Sequence, residues 1–466
     1  MKKQWLIPVA ALALALLSGT GLFLSAGGPL LLPAGPAEAF SSVEELALRL
    51  EELLLSAAAG EPDFEAQAAL AEDCLRAAGT APAHSPALSA AARFLEASAQ
   101  GGWQGWEALS AAAEKLTALP GLSAGPEELP GLLARAQAAG RLAALYRREE
   151  AAGMVVITAG GDCTFGQYPE VPPQVGFEDE MARRGGDLAF PLAGSRPFFA
   201  ADTVTVLNCE GTFTTREEMA RKRFRFKGDP SYAGIFVLGH AEAVNLANNH
   251  SLDYLEAGYE DTIAALEAAG VGSFGGGRVF WQELPAGRTA AFLGYNTVDK
   301  GEPDLTPQLA RDISLAREEG ADLVVVSIHW GYEYYSDPAP YQRAMGRAAV
   351  DLGADLVVGH HPHVIQGVEE YKGKTILYSL GNYAFGGDEE IKDRDTFLFR
   401  QTFALTEEGA VPGERMIFPC YISGLPDRND YSPVPVFGPE ARRIAGRLEE
   451  LGSRLPGGVT QFSYLE

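Results

Sequence analysis

The chain predicts an α/β domain preceded by a small all-helical one, and three observations carry that expectation. From Met154 onward, short β-branched runs recur and end in polar residues: MVVITAGGD, TVTVLNCE, AVNLANNH, TAAFLGYN, LVVVSIHW, DLVVGHHPH and TILYSLGN. Helical stretches such as YEDTIAALEAAG, LARDISLAREEG and YQRAMGRAAVDLG lie between several of them. Alternating strands and helices build an α/β domain, and near-continuous apolar strands belong to a sheet covered on both faces. Finally, 466 residues exceed what one ordinary core organises, so two or more domains are expected.

Residues 1–39 read as an export segment. Lys2 and Lys3 precede a run from Gln4 to Ala37 that carries no charge, and Pro36–Ala39 (PAEA) offers an Ala-x-Ala cleavage pattern. A positive end, an apolar stretch and a small-residue exit are the layout of a secretory signal peptide. The portion from Trp5 to Leu24 is also long enough to cross a bilayer uncut. Positive residues stay inside, so both readings place the rest of the chain outside the cytoplasm, either secreted or anchored at the cell surface.

Residues 40–150 are rich in Ala, Leu and Glu. Ser41 and Ser42 stand three residues ahead of Glu44 and Glu45 in a capping-box arrangement, and VEELALRLEELLLSAAA repeats leucine at helical spacing. Gly60–Pro62, Gly79–Pro82 and Gly121–Pro130 punctuate further helical segments. This region offers no cluster of catalytic side chains, and His84 reads as a loop histidine. The α/β domain is expected over residues 151–466.

Hydrophobic residues make up 47% and charged residues 21%, the balance of a folded protein. A formal net charge of −25 excludes nucleic acid as a partner, because phosphate backbones need a basic face. An anionic substrate would have to meet a local patch of positive charge. Cys74, Cys163, Cys209 and Cys420 show no paired spacing, which in an exported chain argues against a disulfide scaffold. Cys163 and Cys209 each adjoin a candidate metal ligand, so the two can lie close in space.

Ligands of α/β folds bind beyond the carboxyl ends of strands. Here those ends carry Asp162, Glu210, Asn249, His250, His329, His361 and His363. The octet VVGHHPHV alone holds three of the chain's seven histidines. Pro362 disfavours the helical region for His361, which is therefore expected to be extended. His361 and His363 would then project on one side of the chain while His360 points away. Two imidazoles so placed suit a metal site; a pair of loop histidines bonded to backbone is the other reading of this motif taken alone.

The remaining strand ends strengthen the metal reading. Asp162 and Glu210 supply carboxylates, Asn249 a neutral carbonyl oxygen and His329 a third imidazole. Such mixed ligands suit one or two divalent ions of Mn, Zn or Fe, and a bridging carboxylate holds two ions about 3.5–4 Å apart. Singly, Asp162 and Asn249 also read as turn residues and Glu210 as a helix cap. His250 is left without a metal role and suits the general-acid task of protonating a leaving group. Asp253 either holds the other ring nitrogen of His250 or starts a surface helix.

The motifs GGDCTFGQ, VLNCEGTF, LANNHSLDY, SIHWGYEY, GHHPHVIQGVE and YSLGNYAF, in this order, resemble those of the CapA family of poly-γ-glutamate capsule synthesis proteins. The resemblance covers roughly residues 154–400. That family is similar in fold to the calcineurin-like metallophosphoesterases. The resemblance therefore implies a calcineurin-like metallophosphatase sandwich, two sheets flanked by helices. It further implies that Asp162 binds a first metal, Glu210 bridges, and Asn249, His329 and His361 complete a second. His363 would return to the first metal, and His250 would sit over the substrate. Two positions depart from the phosphoesterases: Thr164 stands where they usually carry histidine, and Glu210 where they usually carry aspartate. Both departures resemble CapA proteins, and they weaken the first metal position.

Residues 221–227, RKRFRFK, form the only dense basic run. Alternating Arg223, Arg225 and Lys227 would share one side of a strand and seat carboxylate or phosphate groups, Lys227 being the nearest contact. A solvated edge strand, its cations discouraging edge-to-edge pairing, is the other reading. The glycines of SFGGGR read as turns, Trp330 as a core or pocket wall, and Glu333 as a buttress.

Two functions follow as expectations. One is an extracytoplasmic metal-dependent hydrolase or transferase acting on an anionic capsule polymer or its precursor. The other is a non-catalytic, metal-stabilised scaffold that binds polymer and assists a membrane synthase or export complex, attached to the membrane through the N-terminus if that segment stays uncleaved.

Overall fold

The computed structural model describes residues 129–465 apart from 173, 388 and 389. The expected export segment and most of the Ala- and Leu-rich region, His84 and Cys74 included, lie outside the described residues. A helix, Leu129–Ala151, leads directly into the first strand. Among the described residues every strand lies in the compact unit Tyr146–Glu466.

In chain order the strands are β1 (Met154–Thr164), β2 (Val204–Cys209), β3 (Thr212–Phe213), β4 (Lys227–Gly228), β5 (Ala243–Asn245), β6 (Gly272–Phe274), β7 (Val279–Leu284) and β8 (Arg288–Asn296). Then follow β9 (Leu323–His329), β10 (Leu356–His360), β11 (Val368–Tyr371), β12 (Lys374–Leu377), β13 (Asn382–Phe385), β14 (Asp395–Thr406), β15 (Gly409–Tyr421) and β16 (Val434–Pro435). The first sheet runs β16-β15-β14-β1-β2-β5-β6, with β13 joining β1 where β14 leaves it. The second runs β11-β12-β10-β9-β8-β7, and β3 pairs with β4 alone. Within the sheets β1, β2, β5 and β6 are parallel, as are β8, β9, β10 and β12.

Period-two alternation decides how the layers stack. On β9, Val325 faces a core shared with Ile157 and Val206 of the first sheet, so the two sheets lie face to face. Val324 and Val326 face the other way, onto Leu309 and Ile313 of the helix Thr306–Glu318 and Ala349 of the helix Pro340–Asp351. Strands β2, β9 and β10 are buried along their whole length, as covering on both faces requires. The helix Gly438–Ser453 adds Ala445, Leu448 and Leu451 to the inter-sheet core. The unit Tyr146–Glu466 is thus a two-sheet sandwich flanked by helices.

Register sets the site. Asp162 on β1 stands opposite Asn208 on β2 and Asn382 on β13, and Asn208 stands opposite Asn245 on β5. In the second sheet His329 pairs across to Asn296 and His360. The apolar runs of both sheets therefore give way to polar residues at their carboxyl ends.

One local expectation is overturned. β10 ends at His360, and His361 and His363 take positive φ values of 96° and 58° instead of extended backbone. Proline excludes the right-handed helical region for the residue before it, not positive φ. Hydrogen bonds at this point hold the chain there: His361 N–H donates to Asp162 Oδ2 (3.2 Å), and Tyr334 N–H donates to Pro362 O (2.7 Å).

Candidate metal centre

β1 delivers Asp162 on a bulge. The register with β2 shifts between Ala159 and Asp162, and Asp162 N–H donates to Gly381 O at 3.0 Å. A Cβ on Gly161 would stand 2.1 Å from that carbonyl oxygen, so only glycine permits the approach that re-aims Asp162. Glu210 follows β2 and is anchored by its backbone. Its N–H donates to Cys163 O (2.8 Å), and Thr164 Oγ1 donates to its carbonyl (2.6 Å). The position that phosphoesterases fill with histidine is here a hydroxyl that fastens Glu210.

The side chains converge on Glu210. Its Oε1 is buried without a hydrogen-bond partner, 3.6 Å from His329 Nε2 and 4.0 Å from both His250 Nε2 and His363 Nε2. Glu210, His329 and His361 present ligand atoms within 4.8 Å of one another, and so do Asp162, Glu210 and His363. Either group can hold a metal ion, and Glu210 is common to both. Asn249 Oδ1 lies 2.8 Å from His329 Nε2, beside the first group. All the residues picked from the strand ends thus meet in one place.

The donor chemistry fits a transition metal. His361 Nδ1 is likewise buried without a partner, and an unpaired buried polar group costs about 1–3 kcal/mol. Two such lone pairs beside carboxylates and an amide oxygen form a nitrogen–oxygen set that suits Zn, Mn or Fe. Burial and the neighbouring imidazoles push His329 well below the usual histidine range, and burial with His363 takes His361 down to about 3. Both rings are therefore neutral, the form that ligates metal. Burial, then Asp162, raises the Glu210 carboxyl well above its ordinary value. Burial also works to raise Asp162, but His360, His363 and the Asn208 amide outweigh it and hold the carboxyl low.

Further groups orient these ligands. His363 Nδ1 bonds to Asn382 Oδ1 at 2.7 Å, which leaves Nε2 directed at Glu210. Asn208 Nδ2 donates to Asp162 Oδ1 (2.9 Å), while its Oδ1 accepts from Asn245 Nδ2 (3.0 Å). His360 does not point away as extended geometry would have it. Its Nδ1 stands 3.3 Å from Asp162 Oδ1, because the turn beginning at His361 ends strand alternation there.

His250 is set apart from the ligands. Its Nδ1 bonds to Asp253 Oδ2 at 2.8 Å, and Phe226 stacks on its ring with centroids 4.2 Å apart. Asp253 is fully buried and also accepts the Phe226 N–H (2.6 Å), so it is not a surface helix start. Burial lowers the basicity of His250 although Asp253 opposes this.

The basic run is built differently from the alternating strand expected. Only its last residue, Lys227, is strand, paired in β4 with Gly228 that follows. Arg225 pairs with Glu170, Lys227 pairs with Glu217 (3.0 Å), and Arg223 lies over the Phe224 ring (4.7 Å). Carboxylates and a ring distant or adjacent in sequence take up these cations and break the alternation. Lys222 is the member that reaches the site: it pairs with Asp253, donates to Asn249 O (2.6 Å) and stands 3.3 Å from His250 Nδ1. Sequence reasoning missed Lys222, Asn208 and Asn382. Their signal was present, an amide in each of LNCE and LGNY and one lysine within the basic run. Cys163 and Cys209 are neighbours across β1 and β2, both buried and free. Trp330 is core, donating to Tyr378 O at 2.8 Å, and Glu333 is exposed.

A two-sheet sandwich whose strands end in a shared carboxylate ringed by imidazoles is of the metallophosphatase-like class. Within that class, residues 156–387 match the family described as bacterial capsule synthesis protein PGA_cap, and the chain belongs to this CapA family. It is 31% identical over 245 residues to the PGA biosynthesis protein CapA of Bacillus subtilis, covering 48% of this chain and 62% of that protein. It is 41% identical over 162 residues to the capsule biosynthesis protein CapA of Bacillus anthracis, covering 30% and 39%. A probable polyglutamine synthesis accessory protein of Mycobacterium tuberculosis is 28% identical over 237 residues, covering 43% and 61%. The chain thus spans 39–62% of the length of these curated relatives.

Proposed function

We propose that this protein works outside the cytoplasm in the biosynthesis of an anionic capsule polymer of the poly-γ-glutamate type, and that its metal centre carries out hydrolase-type chemistry on the polymer or its precursor. One observation carries the chemical part. Glu210 Oε1, buried and unpaired, is shared by two ligand groups and faces His250 Nε2 at 4.0 Å. A bound ion of the Zn, Mn or Fe type supplies Lewis acidity and an activated water at such a centre. The chain's own residues do the rest. Asp162, Glu210, Asn249, His329, His361 and His363 hold the ion or ions. His250, fixed through Nδ1 by Asp253, presents Nε2 to the same point; in the doubly protonated form, which Asp253 favours against burial, it hands the Nε2 proton to the leaving atom and returns to the neutral ring. Phe226 covers one face of its ring.

Family membership supports the capsule process, and the export layout of residues 1–39 supports the location. Among the described residues no helix is long and apolar enough to cross a membrane. A second reading, a metal-stabilised scaffold that assists a membrane synthase or exporter, is favoured by the name of the Mycobacterium tuberculosis relative, an accessory protein. The test is to load the purified protein with Mn or Zn and incubate it with γ-linked polyglutamate and with phosphoester substrates. The enzyme reading expects His361→Ala to lose metal, and His250→Ala to keep metal and lose turnover. Capsule formation that survives His250→Ala but not removal of residues 1–39 selects the scaffold.

A further inference from the structure

Three residues in left-handed backbone meet beside the metal centre, and none is glycine. His361 and His363 have φ values of 96° and 58°, and Tyr334, on the loop that follows β9, has 63°. Positive φ is uncommon outside glycine, more so for tyrosine than for histidine, and such backbone concentrates at binding and catalytic sites. The three are tied together, since Tyr334 N–H donates to Pro362 O, between the two histidines, at 2.7 Å. The strained tie sets the Tyr334 ring 6.2 Å from the His363 ring, yet leaves the residue 40% exposed.

The same loop exposes two more rings, Tyr332 at 46% and Tyr335 at 65%, packed edge to face 5.8 Å apart. Exposed aromatic rings gathered at one edge of a polar site are the composition of an interaction surface. The loop is also held rigid: Gly331 N–H donates to Tyr341 Oη (2.5 Å), and Gln366 Nε2 donates to Tyr335 O (2.7 Å). Lys392 lies 4.6 Å above the Tyr334 ring and donates to its hydroxyl (2.8 Å), so the cation stands at the Tyr334 end of the patch, while the Tyr332 hydroxyl donates to Glu302 at the other.

We propose that Tyr332, Tyr334 and Tyr335 form a preorganised aromatic platform that binds the substrate chain at the mouth of the metal centre, with Tyr334 as the specificity-determining contact next to His363. The occupant is a chain of planar amide units bearing carboxylates: the rings take the flat amides, and the cation at Tyr334 favours an anionic chain. This rests on the substrate reading proposed above.

The test measures binding of a γ-linked glutamate decamer to the full chain, together with melting temperature and bound Mn or Zn. Asparagine adopts left-handed backbone readily, so Tyr334→Asn removes the ring and keeps the fold. It is expected to weaken decamer binding by about tenfold with no fall in melting temperature or metal content. Tyr334→Phe keeps the ring and is expected to bind within about threefold of wild type. Unchanged binding by Tyr334→Asn, or a loss that appears only with falling stability and metal, overturns the platform. A wild-type protein that holds metal but does not bind the decamer overturns it too and leaves the metal centre standing. One that binds neither overturns both.

Discussion

Asn208 offers the sharpest test of how the metal centre is supported. It is fully buried at the end of β2, donates to Asp162 Oδ1 at 2.9 Å and accepts from Asn245 Nδ2 at 3.0 Å. Leucine has nearly the same shape, so Asn208→Leu opens no cavity and acts through hydrogen bonds alone. It leaves the Asn245 amide with only its longer bond to Ala247 O (3.4 Å), a loss of about 1 kcal/mol, and takes a donor from the buried Asp162 carboxylate, about 2–3 kcal/mol. A total of about 3–4 kcal/mol corresponds to a fall of roughly 4–7 °C in melting temperature for a domain of this size. Loss of a group that orients a ligand also weakens metal binding by about 10–100-fold. With saturating ion the gap between wild type and variant should therefore widen by about 1.4–2.7 kcal/mol. Thermal melts of chelator-treated and Mn- or Zn-loaded protein, with a direct metal titration, measure both terms. A variant that melts within about 1 °C of wild type and binds metal within about twofold would show that the amide at position 208 supports nothing.

Three further expectations concern other parts of the molecule. Burial pushes the Glu242 carboxyl up to about 7 from an ordinary 4.5, so the folded chain holds a proton that the unfolded chain releases. Its stability is then full below pH 4.5 and declines as pH rises towards 7. Glu242→Gln, still able to accept the Thr205 N–H, should be more stable than wild type at about pH 8 by at most about 3 kcal/mol, with no gain near pH 4. Equal gains at both pH values in thermal melts would refute the assignment. Gly161→Ala drives a Cβ into the Gly381 carbonyl at 2.1 Å and should cost about 1–3 kcal/mol while weakening metal binding. Gly446→Ala, in a helix with open space around it, should stabilise by about 0.5–1 kcal/mol, and similar melts for the two variants would undo the argument. Lys222→Met should keep bound metal yet lower turnover about tenfold or more without raising KM, because Lys222 braces Asp253 and His250, with Lys222→Arg recovering part of it. Parallel loss of metal would make Lys222 a structural residue only.

How much of this was legible in the chain depended on the range of the interaction. Strand identity and burial were readable because β-branched runs such as LVVVSIH repeat a local pattern, and the structure buries that run along its length. The ligand types were readable because polar residues interrupt those runs at the ends where ligands bind. Other features rest on partners far along the chain. Arg225 and Lys227 looked like one charged face until Glu170 and Glu217, which no local rule connects to them, drew them elsewhere. Long flexible cations go where folding places a carboxylate.

By itself, the sequence determined an α/β chain whose strand ends carry carboxylates, an amide and imidazoles, since side-chain period and residue chemistry are local properties. Only the tertiary structure decided that Glu210 stands at the common point of two ligand groups, that His361, His363 and Tyr334 hold left-handed backbone, and that Lys222 rather than Arg223 reaches the site. These depend on two sheets meeting face to face with their registers aligned. Hydrogen bonds and packing between residues far apart in the chain can override a local backbone preference worth only about 1–3 kcal/mol, and such contacts exist only once the chain has folded.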